Sequence, residues 1–123
     1  MVYIIDDDES VRDALELLML AAGFDALMFS SAAAFLESVA PSSRDCLILD
    51  LCMPGMDGFD LLKALSDRGV TAPVIVLTAL DEEENRERAR QMGVEAFFKK
   101  PVDDQALIDM IRWSLGKSAA RKD

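Results

Sequence analysis

The chain contains no histidine and only two cysteines, Cys46 and Cys52. A zinc site of thiolate or imidazole ligands needs more of either, so none is expected. If 46–50 is a strand, an extended chain separates the two thiols beyond the Cα distance of ~4.4 to 6.8 Å that a disulfide spans. Both are read as reduced, and the acidic residues around Cys52 argue against a reactive thiolate there. Cationic residues are scarce too: Lys plus Arg number 13 against 23 Asp plus Glu, a net charge of −10. Such a surface repels phosphate backbones and anionic membranes, which argues against direct nucleic-acid binding by this segment. The most apolar stretch, Leu17 to Phe24, is far too short to span a bilayer, and no basic region precedes the apolar N-terminal residues. Neither a signal peptide nor a transmembrane helix is expected, and the expected location is cytoplasmic. There is no internal repeat, no low-complexity block and no GxxxxGK phosphate loop.

What is present is a chain of 123 residues with 51% hydrophobic content, enough for one domain with a full core. Apolar runs of strand length alternate with stretches of helical period. Val2 to Asp6 is short and β-branched; Ser10 to Ala22 then carries Val11, Ala14, Leu15, Leu18, Met19 and Ala22 on one helical face, closed by Gly23. Asp25 to Phe29 reads as a weaker strand, and Ser30 or Ser31 caps a helix with the stripe Ala32, Phe35, Leu36 and Val39. CLILD (46–50) is a third strand, MPGMDG (53–58) a turn, and Phe59, Leu62 and Leu65 line a helix that Asp57 caps. PVIVLT (73–78) is a fourth strand. Glu82 to Met92 is a helix with only Ala89 and Met92 strongly apolar, so little packing holds it. Val94 to Lys99 is a fifth strand, and Asp103 caps a last helix carrying Ala106, Leu107, Met110, Ile111 and Leu115. Residues 1–116 form the expected domain, and 117–123 a tail or the start of a linker. This strict alternation predicts an α/β fold, a (βα)5 doubly wound parallel sheet with right-handed crossovers.

Ligands of such sheets bind beyond the carboxyl ends of the strands. Strand one ends in Asp6 and Asp7, strand three in Asp50, strand four in Thr78, and strand five is followed by Lys99, Lys100 and Pro101. If strands one and three are neighbours, Asp6, Asp7 and Asp50 share a pocket, and without a cation at least one of them has a raised pKa. Hard oxygen donors with no sulfur or imidazole point to Mg²⁺ or Mn²⁺. Asp8, Glu9 and Ser10 are simpler: helix-start residues favoured by the dipole, with Ser10 and Asp13 a candidate cap. Lys99 faces away from Lys100 by strand alternation.

The Asp pair after strand one, LILDLCMPGMDG around Asp50, VIVLTA ending at Thr78 and Ala79, and FFKKP containing Lys100 together resemble the receiver domain of two-component response regulators. The likeness covers roughly residues 2 to 115, and the opening VYIIDDDESVRDAL is most similar to receivers of the FixJ type, which usually precede a helix-turn-helix output domain. The resemblance implies a flavodoxin- or CheY-like strand order, 2-1-3-4-5. It implies that Asp50 accepts a phosphoryl group from a phosphohistidine on a sensor kinase or phosphotransfer protein, a donor that a chain without histidine cannot supply. It implies that Asp7, Asp50 and the backbone carbonyl of Cys52 hold the metal, with Asp6 acting through a metal-bound water. Lys100 and Thr78 would contact phosphoryl oxygens, and Thr78 and Phe97 would switch the face of helix four, strand five and helix five, the surface of a possible homodimer. Relatives carry a cis peptide at the position of Lys100–Pro101. Phe97 stands where many relatives have tyrosine, and Leu80, two past Thr78, is expected to slow hydrolytic loss of the phosphoryl group. Trp113 is either half-exposed core or part of a dimer face.

Other classes fit less well. A haloacid-dehalogenase-type phosphatase needs a second aspartate two residues past its nucleophile, where this chain has Cys52. An FMN carrier needs a Ser/Thr/Gly-rich phosphate loop after strand one, where aspartates would repel the phosphate. The chain is thus expected to be a switch rather than an enzyme on a separate substrate. The remaining alternative is an unphosphorylated interaction module on the same fold, whose usual mark is loss of the acceptor, the acidic pair or the lysine.

Overall fold

The computed structural model describes residues 1–120, with side chains through Gly116. Ten elements follow one another as β1 (Val2–Ile5), α1 (Glu9–Ala22), β2 (Ala26–Phe29), α2 (Ala32–Ser38), β3 (Cys46–Leu49), α3 (Gly58–Asp67), β4 (Val74–Thr78), α4 (Glu83–Gln91), β5 (Ala96–Lys99) and α5 (Asp104–Ala120). The strands form one parallel sheet in the order β2-β1-β3-β4-β5, so the expected doubly wound architecture is present.

Strands β3 and β4 are buried along their whole length, which is why they read as unbroken apolar runs instead of alternating ones. Their side chains divide between two cores. One lies under α2, α3 and α4 and contains Ile5, Phe35, Leu47, Leu49, Leu61 and Val76. The other lies under α1 and α5 and contains Ile4, Met19, Ile48, Ile75, Leu107 and Ile111. Cys46 belongs to this second core, and burial pushes its thiol up to about 12. No disulfide joins it to the exposed Cys52.

Local signals place most boundaries. Gly23 ends α1 in the left-handed region at φ 83°, where a side chain would be strained. Ser31 caps α2 by accepting from the Ala34 N–H. Asp57 and Asp60 form a reciprocal capping box on α3, and Asp103 accepts from the Ala106 N–H at the start of α5. Two expectations need correction. The cap of α1 is Asp8, whose carboxylate accepts from the Ser10 and Val11 N–H groups, not a Ser10–Asp13 pair. An Asp immediately before the helix reaches these otherwise unpaired donors, whereas Ser10 lies already inside the first turn. Helix α5 does not stop at Gly116 but runs on to Ala120, because one exposed glycine costs only about 1 kcal/mol in a helix. The rest of the expected tail, 121–123, lies outside the described residues.

Candidate functional site

The register of β1 and β3 decides the centre of the site. Ile5 pairs with Leu49, and the Asp50 N–H donates to the Ile5 carbonyl at 3.1 Å. The next residues, Asp6 and Asp50, therefore leave the sheet side by side. They are 3% and 6% exposed, among the few buried polar residues of the molecule. Asp7, one residue on, is exposed, yet a carboxylate oxygen from each of Asp6, Asp7 and Asp50 lies within 4.8 Å of the others.

Lys100 closes this cluster from the end of β5, at the same edge of the sheet. Its Nζ donates to Asp6 Oδ2 at 2.8 Å and to Asp50 Oδ2 at 3.0 Å. Its backbone N–H donates to the Thr78 carbonyl at 2.8 Å, and the Lys100–Pro101 peptide is cis. Lys99 points away, is exposed, and pairs with Asp81 at 3.6 Å.

The other oxygens of Asp6 and Asp50 and the Thr78 hydroxyl follow one local rule. Asp6 Oδ1 accepts from the Asp8 N–H at 3.0 Å, Asp50 Oδ1 from the Cys52 N–H at 3.1 Å, and Thr78 Oγ1 from the Leu80 N–H at 3.1 Å. Each strand-end side chain thus turns the following loop by bonding the amide two residues on. The three loops are shaped by the residues they present.

The electrostatics follow from burial. Asp6 is raised above the ordinary carboxylate value: desolvation is the main cause and the neighbouring Asp50 charge adds to it, against the opposing bonds from Lys100 and the Asp8 N–H. The direction is the one expected where acids cluster, but burial rather than the neighbouring charge is its main cause. Burial alone would lower Lys100, but its bonds to Asp6 and Asp50 together outweigh that and raise it. A firmly protonated ammonium therefore sits against two buried carboxylates.

Two contributors lie inside the motifs VYIIDDDESVRDAL and LILDLCMPGMDG but have no role legible from sequence. Arg12, on α1, donates from Nη1 to the Asp6 carbonyl at 2.7 Å. Asp6 lies past the end of β1, so this charge-assisted bond holds the peptide that aims Asp6 and Asp7. The other is Gly58, the first residue of α3. A Cβ there would lie 2.6 Å from both the Asp50 carbonyl oxygen and the Leu51 Cα, so the helix start packs directly on the backbone that carries Asp50. The turn MPGMDG places Gly58 just after the Asp57 cap, and the opening run contains Arg12; neither pattern shows the contact, because the partner in each case is main chain.

Thr78 is fully buried and Phe97 partly so, packed against the core under α2, α3 and α4. The Arg86 guanidinium covers the Phe97 ring at 4.8 Å from its centroid. Leu80 and Trp113 are both exposed, at 36% and 53%.

The model of the response regulator receiver domain family matches residues 2–112. The chain belongs to this family. Among curated relatives, the transcriptional regulatory protein FixJ of Azorhizobium caulinodans is 42% identical over 118 residues, 96% of this chain and 56% of that protein. The response regulator protein TmoT of Ectopseudomonas mendocina is 35% identical over 123 residues, again covering 56% of its length. The chain thus spans little more than half the length of these curated relatives. Among solved structures, the response regulator StyR superposes with a TM-score of 0.89 at 38% identity, covering 98% of this chain and 61% of that one. The FixJ-N structure superposes with a TM-score of 0.81 at 33% identity, covering 94% of this chain and 92% of that one.

Receiver domains serve two-component signalling, interact with sensor kinases and typically bind Mg²⁺ at an acidic pocket. The donors present in this receiver suit such an ion. They are all carboxylate oxygens, they converge from two adjacent strands, and Asp7 remains open to solvent. A hard divalent cation that keeps several waters needs no more from the protein. No helix among the described residues is long and apolar enough to cross a membrane.

Proposed function

We propose that this receiver is a phosphorylation-controlled switch in which Asp50 accepts a phosphoryl group from the phosphohistidine of a sensor kinase or phosphotransfer protein. The observation that carries the reading is the lysine bridge: Lys100 Nζ bonds Asp6 and Asp50 at once, at 2.8 and 3.0 Å, with Asp7 beside them. A passive module of this fold would have no use for an ammonium and three acids at one strand edge.

Asp50 needs no base, because a carboxylate is already a nucleophile. One of its oxygens forms the new O–P bond as the P–N bond to the donor imidazole breaks, and the bonding pair leaves with the ring nitrogen. The Cys52 N–H on Oδ1 keeps the carboxylate oriented during approach. Lys100 stays protonated and neutralises charge on the arriving phosphoryl oxygens, and phosphoryl transfer depends mainly on such positioning and neutralisation. Asp7, Asp50 and the Cys52 backbone carbonyl are the proposed ligands of Mg²⁺ or Mn²⁺, with Asp6 acting through a bound water. When bound, the ion offsets carboxylate and phosphoryl charge that would otherwise repel the donor.

After transfer, the Thr78 hydroxyl exchanges its bond with the Leu80 N–H for one to a phosphoryl oxygen, and Phe97 moves toward the space it leaves. The face of α4, β5 and α5 is the proposed output surface and homodimer contact. Residues 1–116 are the proposed receiver unit, with 117–123, whose first four residues continue α5, a tail or the start of a linker to an output domain. A DNA-binding output is in keeping with similarity to the DNA-binding transcriptional regulator NtrC of Escherichia coli and to the transcriptional regulatory protein FixJ, and the proposed location is cytoplasmic.

Incubation with Mg²⁺ and acetyl phosphate, followed by intact-mass measurement, tests the reading. The expected result is a gain of one phosphoryl group that EDTA prevents and Asp50→Asn removes. No gain in the wild type, with a phosphohistidine donor failing as well, would favour the unphosphorylated interaction module. Lys100→Ala is expected to retain metal affinity while losing the conformational response.

A further inference from the structure

The first two turns of α4 read Glu83, Glu84, Asn85, Arg86, Glu87 and Arg88, without one apolar side chain. Ala89 is the only fully buried residue of the helix, its cap residue Glu82 makes no side-chain capping bond, and the next apolar contacts come from Met92 and Val94, beyond its end. A helix normally docks by burying an apolar stripe, and the N-terminal half of α4 has none.

Two guanidinium groups take its place. Arg86 covers the ring of Phe97 on β5, 4.8 Å from its centroid, and Arg88 covers the ring of Phe59 on α3, 4.0 Å from its centroid. Phe59 is only 7% exposed, so an exposed arginine roofs a core ring. The two stacks face opposite neighbours of α4, one strand and one helix. We propose that Arg86 and Arg88 are the positioning residues of α4, a two-armed clip that sets its resting place and makes Arg86 the direct link between the Phe97 ring and the output helix.

The consequence for signalling rests on the phosphoacceptor reading. A ring drawn toward the space left by Thr78 takes its face away from Arg86, so the Phe97 stack favours the unphosphorylated arrangement. A guanidinium–aromatic contact is weak at an exposed site and biases an equilibrium only ~2- to 5-fold. That suits a hinge that must be shifted by a few new hydrogen bonds, where an apolar stripe would hold too firmly. The Arg88 stack does not involve the moving ring and keeps the helix docked in both arrangements.

Hydrogen exchange by mass spectrometry on the full chain tests the clip without reference to phosphorylation. Arg88→Ala and Arg86→Ala should each speed exchange of the α4 amides by ~2- to 5-fold, with β1 and β3 unchanged and partial recovery in Arg88→Lys. Unchanged α4 exchange in both alanine variants would overturn the clip. A titration with beryllofluoride and Mg²⁺, followed by NMR, tests the link. Arg86→Ala should tighten apparent binding by ~2- to 5-fold, and the same change in a Phe97→Leu background should have no effect. Looser binding, or an effect that survives without the ring, would refute the link. A wild type inert to beryllofluoride would instead overturn the phosphoacceptor reading, and the link with it.

Discussion

Asp50 and Lys100, separated by fifty positions in the chain, meet with Nζ 3.0 Å from Oδ2 in a part-buried contact. The same ammonium reaches Asp6 across an even longer separation, so one lysine holds together two acids that would otherwise repel. The arrangement is under tension by design of its charges: three carboxylates face one cation, and the buried pair cannot both be fully relieved by it.

That imbalance predicts a pH effect. Asp6 holds its proton more tightly in the folded protein than in the unfolded chain, mainly through desolvation. In EDTA, stability should therefore fall as pH rises from the ordinary carboxylate range, ~4, through the raised value, and the full cost is present above it. Asp6→Asn should flatten this slope and raise the neutral-pH melting temperature in EDTA by a few degrees. With Mg²⁺ the order should reverse, because the wild type gains more from binding. Calorimetry across pH with and without the ion checks both halves.

Arg12 is predicted to matter for metal binding without touching the metal. Its bond to the Asp6 carbonyl is charge-assisted, and such bonds contribute about 1.5–3 kcal/mol. Arg12→Ala should weaken Mg²⁺ several-fold by isothermal titration, with Arg12→Lys intermediate. Tighter binding in Arg12→Ala would mean that the arginine acts chiefly as a repelling charge.

Gly58→Ala should be among the more damaging small substitutions. The added methyl would sit 2.6 Å from two backbone atoms of Asp50 and Leu51, and backbone cannot swing aside as a side-chain tip can. A loss of roughly 1–3 kcal/mol is expected from overpacking, measurable by urea denaturation. Slower phosphorylation at pH 7 should accompany it, since the displaced peptide carries the proposed acceptor.

Ser114→Ala should go the other way. The Ser114 hydroxyl is fully buried on α5 with no hydrogen-bond partner among the described residues. An unsatisfied buried polar group costs about 1–3 kcal/mol, and alanine is also the better helix former. Urea unfolding should show a gain of up to ~1 kcal/mol, with phosphorylation kinetics unchanged.

The order and type of all ten elements were legible because β3 and β4 are buried on both faces and the helices, α4 apart, carry apolar stripes, two patterns with different periods. Boundaries were less so. Asp25 and Val94 read as strand residues but lie outside β2 and β5. The Val94 N–H is taken by the Ala89 carbonyl at the end of α4, and Asp25 is held at the very edge of the ladder by one bond from the Val2 N–H to its carbonyl. Local pattern does not fix element ends to the residue. Gly116 read as a stop because propensity is local, while α5 continues past it.

The amino-acid order alone was enough to place Asp6, Asp7, Asp50, Thr78 and Lys100 at strand ends, because hydrophobic runs stop where a side chain must meet water or a ligand. Only the folded chain decided which of them touch. The β1–β3 register set Asp6 beside Asp50, Lys100 chose those two acids while Lys99 took Asp81, and Arg12, Gly58, Arg86 and Arg88 acquired partners from elsewhere in the chain. Periodicity records how each segment faces the core; it carries no information about contacts made to a backbone oxygen or to the face of a distant ring.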